Sequence, residues 1–199
     1  MSADDRCGGA EGGAPRSAAP GRALPSGGAG HSPSPAAPVP AAIGIDIGGT
    51  TVKGALVGRD GSVLGTAGPR ATPVDDVPGL VGAVVGLVRR LDAGRGVPVG
   101  VCVPGIVDEA RGVGVLSANL GWRGAPLRRL LSAALGSPVA LGHDVRCGAL
   151  AESLWGVGEA DMLYVAIGTG IASVLVIGSR PCPGPAWAGE IGQIVVEDP

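Results

Sequence analysis

Apolar residues occupy alternate positions from Ile43 to Ile47, separated by Gly44 and Asp46, and a second apolar run climbs back from Thr50 to Leu56 beyond Gly48 and Gly49. Period-two alternation on both sides of a Gly-Gly pair predicts two antiparallel strands joined by a tight reversal. Ser62 to Ala67 reads as a third strand, entered through the turn residues Arg59, Asp60 and Gly61. From Pro78 to Leu91 the period changes. Leu80, Val81, Val84, Val85, Leu87, Val88 and Leu91 recur at three and four, which predicts a helix with one buried face, capped by Asp75 or Asp76. Val97 to Val103 is a compact apolar run ending at Pro104-Gly105, and a strand that follows a helix in this way joins a sheet in parallel. Pro126 to Leu135 predicts a second helix, with Leu127, Leu130, Leu131 and Ala134 on its apolar side, Arg128 and Arg129 on a solvated side, and Gly136 as its stop. A short strand (Val139–Leu141), a helix from about Val145 to Leu154, a buried strand (Met162–Ile167) and a further strand (Ala172–Ile177) complete the reading. The expected fold class is α/β: a mixed sheet that starts as an antiparallel hairpin meander, with helices packed on it.

Several of these junctions carry polar groups. Backbone N–H groups without side-chain cover at Gly48 and Gly49, with hydroxyls from Thr50 and Thr51, form a concavity suited to phosphate oxygens, although an ordinary glycine hairpin would read the same way. Asp46 stands where a carboxylate could hold a magnesium ion, and Lys53 follows the turn. Open α/β sheets bind ligands at the carboxyl ends of their strands, so the turn from Pro104 to Asp108 is either a pocket wall or a plain loop. Asn119 can pair with sugar-like hydroxyls or simply form a turn. Asp144 lies at a strand-to-helix junction, as an N-cap or as a general base taking a proton from a substrate hydroxyl. His143, lacking partners in sequence, reads as structural, and Arg146 has no assigned role. Gly168-Thr169-Gly170 repeats the design of the first turn, and two such turns can grip a triphosphate from two sides. Glu190, taken singly, is a surface acid.

Composition narrows the classes. Of the first 40 residues, 29 are Gly, Ala, Pro or Ser, which leaves little to bury and predicts a disordered arm. That arm has no basic region followed by an apolar core, and Asp4 and Asp5 stand near its start, so export is not expected. Apolar runs beyond residue 41 are broken well short of the ~18 residues a membrane span needs. A net charge of -2 without a Lys/Arg block argues against nucleic acid as a partner. A cytoplasmic protein is the expectation. Cys7, Cys102, Cys147 and Cys182 are widely spaced, which predicts buried reduced thiols rather than a disulfide framework or a zinc knuckle. With no Phe, the core must be aliphatic, and Trp122, Trp155, Trp187 and Tyr164 are its only aromatics.

In order and spacing, DIGGT at 46–50 with Lys53, VPGIVD at 103–108, ANLGW at 118–122, HD at 143–144, IGTGI at 167–171 and AGEIG at 188–192 resemble the ROK family of sugar kinases and sugar-responsive repressors. The resemblance implies the actin-like, ribonuclease-H-like ATPase fold. It implies a first phosphate loop at Gly48, Gly49, Thr50 and Thr51, a second at Gly168, Thr169 and Gly170, and Asp46 positioning Mg2+ and ATP. It also implies sugar contacts from Asn119, Asp144 and Glu190, with Asp144 as the base that activates a hexose hydroxyl toward the γ-phosphate. The folded part then divides into an N-terminal lobe over 41–142 and the start of an incomplete C-terminal lobe over 143–199, as in a truncated glucokinase-like chain. A homodimer is compatible with a full-length form.

Departures from the family pattern matter as well. Gln193 stands where the family's kinases usually have a zinc-ligating His, and no downstream Cys cluster follows, so neither zinc nor any other structural metal is expected. His143 stands where an Asn commonly precedes the catalytic Asp, and Ala172-Ser173-Val174 replaces a glycine-rich continuation of the second turn. The competing readings are the sensor domain of a ROK-type repressor and a non-catalytic sugar-binding remnant. Residues 1–40 are not expected to form a helix-turn-helix, which favours the kinase.

Overall fold

The computed structural model describes residues 39–195. The anticipated arm lies outside the described residues except for Val39 and Pro40. β1 (Pro40–Ile47) and β2 (Thr51–Gly58) form the expected antiparallel hairpin, with Ile47 opposite Val52, and β3 (Val63–Ala71) pairs antiparallel to β2. After α1 (Val77–Asp92), β4 (Val99–Val103) returns parallel to β1, placing Cys102 beside Asp46. β5 (Ile106–Asp108), β6 (Val113–Ser117) and β7 (Trp122–Ala125) make a small antiparallel sheet of their own. α2 (Leu127–Leu135) leads into β8 (Val139–His143), which runs parallel to β4 and completes a mixed sheet of order β3-β2-β1-β4-β8. α3 (Asp144–Trp155) is followed by a third sheet of order β11-β10-β9, from β9 (Met162–Ile167), β10 (Ile171–Ile177) and β11 (Arg180–Pro181), and by a 3-10 turn at Ile191–Gln193.

The main core lies between the five-stranded sheet and the two helices α1 and α2. Ile43, Ile45 and Ile47 from β1, Val101 and Val103 from β4 and the α1 face of Leu80, Val84 and Leu87 are all at most 2% exposed. Burying each such side chain contributes about 1.5–3 kcal/mol. Asp76, one of the two expected caps, starts α1 by accepting the Gly79 N–H at 2.8 Å. Gly54 admits the helix to the sheet, since a Cβ there would stand 2.6 Å from Ile45 Cδ1 and 3.0 Å from Leu91 Cδ1. The opposite sheet face is built from small residues such as Gly44, Ala55, Gly100 and Ala140, which bound a cavity of about 790 Å³. A second cluster, Ala149 with Val174 and Val176, sits between α3 and β10. No helix among the described residues is long and apolar enough to cross a membrane.

Several expectations need correction. β9 is not a buried strand: Leu163, Val165 and Ile167 are 63%, 42% and 79% exposed, because α3 covers only the other face of its sheet. Residues 106–108 form a strand of the small sheet β5-β6-β7 rather than part of a loop. Arg128 is not simply solvated, since its guanidinium donates to the backbone carbonyls of Glu109 and Ala110. Of the tryptophans only Trp122 is buried, whereas Trp155 packs on the β2–β3 turn at Gly61 and Trp187 is 65% exposed. The thiols are less buried than expected, with Cys147 exposed and Cys102 and Cys182 half-buried. Cys7 lies outside the described residues.

Candidate functional site

The parallel pairing of β1, β4 and β8 brings three strand ends to one edge, with Asp46 beside Cys102 and Cys102 beside Gly142. Asp46 and His143-Asp144 therefore emerge from the same edge of the sheet, where open α/β sheets gather ligands. Asp46 Oδ2 lies 3.2 Å from Lys53 Nζ across the hairpin, and both side chains keep substantial exposure. Such a pair contributes little to stability, about 0–1 kcal/mol, and both charges stay available to a ligand. The Cys102 thiol lies 3.3 Å from the Ile45 carbonyl and 3.8 Å from Asp46 Oδ1. Contact with the Cys147 thiol, then burial, pushes the Cys102 thiol far up. The same contact holds the Cys147 thiol below its ordinary value.

The first glycine turn is tightly tied. Gly48 N–H donates to the Thr51 carbonyl at 2.9 Å, Thr72 Oγ1 donates to the Gly48 carbonyl at 2.8 Å, and Thr72 N–H donates to the Thr50 carbonyl at 2.9 Å. Gly48 thus spends its N–H on closing the hairpin, while Gly49 and Thr50 stay exposed at the turn. Asn119 sits over this turn, its Cβ 3.8 Å and its Nδ2 4.0 Å from where a Gly49 Cβ would stand. At the second turn Gly168 N–H donates to the Gly170 carbonyl at 2.9 Å, and nothing lies within 4 Å of the space a Cβ would fill on either glycine. The turn is exposed, with backbone open to an anion.

Asp144 is the first residue of α3, and the N-cap position belongs to His143, which makes no side-chain cap. Asp144 Oδ1 accepts the N–H of Val145 at 2.8 Å and lies 3.4 Å from His143 Nε2. The same ring nitrogen lies 3.3 Å from Glu190 Oε1. His143 is thus structural in burial, at 8% side-chain exposure, yet it touches both predicted carboxylates. Its Nδ1 is buried with no hydrogen-bond partner among the described residues, an arrangement that costs about 1–3 kcal/mol. Glu190 is no free surface acid, at 21% side-chain exposure. Its segment is fastened to β10, since Ser173 N–H donates to the Gly189 carbonyl at 2.8 Å. Gly189 has φ 92°, and a Cβ there would stand 1.9 Å from the Ser173 carbonyl oxygen, so only glycine fits.

The fold therefore gathers Asp46 with Lys53, Asn119 with the first turn, and Asp144 with Glu190. The second turn, residues 168–170, joins this group one step removed, through β10 and the Glu190 segment. Sequence reading missed Thr72, which locks the first turn, and Glu109, whose Oε1 accepts the His143 backbone N–H at 2.8 Å and whose Oε2 lies 3.6 Å from Arg146 Nη1. Neither has a local signature, because both act across long sequence separations. A second cavity of about 600 Å³, lined by Glu109, Arg146, Pro185 and Trp187, opens beside that pair. Neither cavity takes in Asn119, Asp144 or Glu190, and the larger shares only Asp46 and Lys53 with the predicted site. The candidate residues therefore gather at the strand ends rather than in either cavity.

This architecture, a mixed sheet with its polar groups at the strand ends, is that of an actin-like ATPase lobe. The chain belongs to the ROK family, whose model matches residues 42–199. It is 36% identical over 163 residues to a kanosamine kinase from Amycolatopsis mediterranei, covering 78% of this chain and 52% of that one. It is also 37% identical over 103 residues to a putative xylose repressor from a Caldicellulosiruptor species, covering 50% and 26%. Among solved structures it superimposes on a ROK family glucokinase from Streptomyces griseus in complex with glucose and AMPPNP. The TM-score is 0.71 and the identity 31%, over 78% of this chain and 51% of the other. The chain thus spans about half the length of the sugar kinases it matches.

Proposed function

We propose that this chain is the nucleotide- and sugar-facing part of a glucokinase-like enzyme that transfers the γ-phosphoryl group of ATP to a hexose hydroxyl. The observation that carries the reading is the placing of Asp46, with Lys53, and Asp144, with Glu190, along one edge of parallel strands. Phosphoryl transfer asks the protein mainly for positioning and charge stabilisation. Asp46 would hold Mg2+ and ATP, and the turns at Gly48–Thr51 and Gly168–Gly170 would hold phosphate oxygens. The residues fit those groups: the Asp46 carboxylate is half-exposed, and the space over Gly168 and Gly170 is empty of protein. Magnesium supplies charge neutralisation between phosphate oxygens when bound. Asn119 and Glu190 orient the sugar, and Asp144 accepts the proton of the attacking hydroxyl. We assign 41–142 to the first lobe and 143–199 to the beginning of a second, and place the protein in the cytoplasm with its ATP.

The test is a coupled ADP-release assay with glucose, kanosamine and N-acetylglucosamine. Sugar-dependent turnover that falls by about 10²–10⁴-fold in Asp144→Asn is expected. No sugar-dependent ADP release, or release that Asp144→Asn leaves intact, overturns the proposal. The identity to a putative xylose repressor favours a second reading, sugar sensing without turnover. Calorimetric titration separates the two, because a sensor binds sugar while releasing no ADP.

A further inference from the structure

We infer that His143 is a positioning residue that clamps Asp144 and Glu190 into one site by sharing its Nε2 proton between their carboxylates. The two acids come from segments far apart in the chain, one opening α3 and the other preceding the final 3-10 turn. Their oxygens stand 3.4 Å and 3.3 Å from a single ring nitrogen. Two anions brought this close repel each other, and a donor between them offsets the repulsion. Burial keeps the imidazole from swinging out to water. Its backbone is fixed as well, by the last pairing of β8 with β4, Val103 beside His143, and by the N–H donated to Glu109. Glu109 is in turn held through its carboxylate by Arg146 and through its backbone carbonyl by Arg128. Among the described residues, Asp144 and Glu190 meet its ring, and Glu109, paired with Arg146, meets its backbone. A proton on Nε2 leaves Nδ1 as a bare acceptor when the ring is neutral, and Nδ1 is the ring atom found without a partner.

The clamp rests on the kinase reading only for the roles given to the two carboxylates; the geometry stands without it. It is therefore tested first by a measurement that needs no turnover. The chain has two histidines, His31 and His143, and His31→Gln assigns their ring signals in long-range ¹H–¹⁵N spectra of the labelled protein. Expected is a His143 ring with its proton on Nε2, slow to exchange, whose signal shifts and loses protection in Glu190→Ala and again in Asp144→Ala. A His143 Nε2 that carries no proton, or a signal that neither substitution moves, overturns the clamp. In the ADP-release assay His143→Ala is expected to lower kcat by about 10²-fold, the order of loss from misplacing a reacting group by 1 Å, with KM for ATP held. His143→Gln, whose side-chain nitrogen reaches to about the Nε2 position, recovers most of that loss. A glutamine variant as impaired as the alanine, with the fold intact by circular dichroism, counts against positioning. A protein with the expected ring signals and no turnover keeps the clamp and refutes the kinase.

Discussion

The chain uses one local design twice, a strand, a glycine turn and a returning strand, in surroundings that could hardly differ more. In the first copy Ile43, Ile45 and Ile47 are 0–1% exposed under α1, and Thr72 and Asn119 brace the turn from outside the hairpin. In the second, Ile167 and Ile171 flank the turn at 79% and 44% exposure. Yet in both turns the first glycine donates its N–H forward to a nearby carbonyl, Thr51 in the first and Gly170 in the second. Turn geometry is therefore local, whereas its rigidity comes from what packs around it. The first copy is held by the core; the second depends on the segment of Gly189 and Glu190 that lies against β10.

The contrast can be broken most forcefully at Ile45. Ile45→Ala in the first hairpin is expected to cost about 2–5 kcal/mol, because the site lies under α1 and cannot collapse freely. Urea unfolding followed by circular dichroism measures it, and a loss below 1 kcal/mol would show that the first core is no tighter than the second. Crowding should cost less than a cavity. Gly54→Val drives a branched side chain into Ile45 and Leu91 and is expected to lose about 1–3 kcal/mol in the same experiment. Helix starts extend the comparison. α1 is capped by the Asp76 side chain, whereas α3 begins with no side-chain cap. Asp76→Ala should cost about 1 kcal/mol, and Asp144→Asn, which removes no such cap, should leave the melting temperature nearly in place while lowering sugar-dependent turnover by about 10²–10⁴-fold.

How far the sequence reveals these differences depends on the range of each interaction. Period-two runs and a three-four apolar stripe locate β1, β2 and α1 because their pattern records which face is buried. The same signal misleads at Met162–Ile167, since a run of apolar residues reads as buried whether or not anything covers it. The expected site residues were legible as types: a carboxylate at a strand end, glycines and threonines in a turn. Their companions were not. Thr72, Glu109 and the placing of His143 between Asp144 and Glu190 depend on contacts across 24 to 47 positions, and no local spacing encodes them. Arg128 shows the same limit, a helix-surface arginine by its period that reaches across to carbonyls at 109 and 110.

The smallest effect separates the two regions most cleanly, because it uses one substitution in two places. Val165 on β9 lies opposite Ser173 and is 42% exposed, while Val101 on β4 lies between Ile45 and Leu141 and is 2% exposed. Threonine has nearly the shape of valine and keeps the β-branch, so strand preference is held almost constant and only the hydroxyl changes. At Val165 that hydroxyl meets water or the Ser173 side chain across the pair, and Val165→Thr should stay within about 0.5 kcal/mol. At Val101 it enters an aliphatic core without a partner, which costs about 1–3 kcal/mol. Matched urea midpoints for the two variants would contradict the division into a packed first region and an open second one. If Val165→Thr proved the costlier, something in the folded protein would have to cover the β9–β10 face.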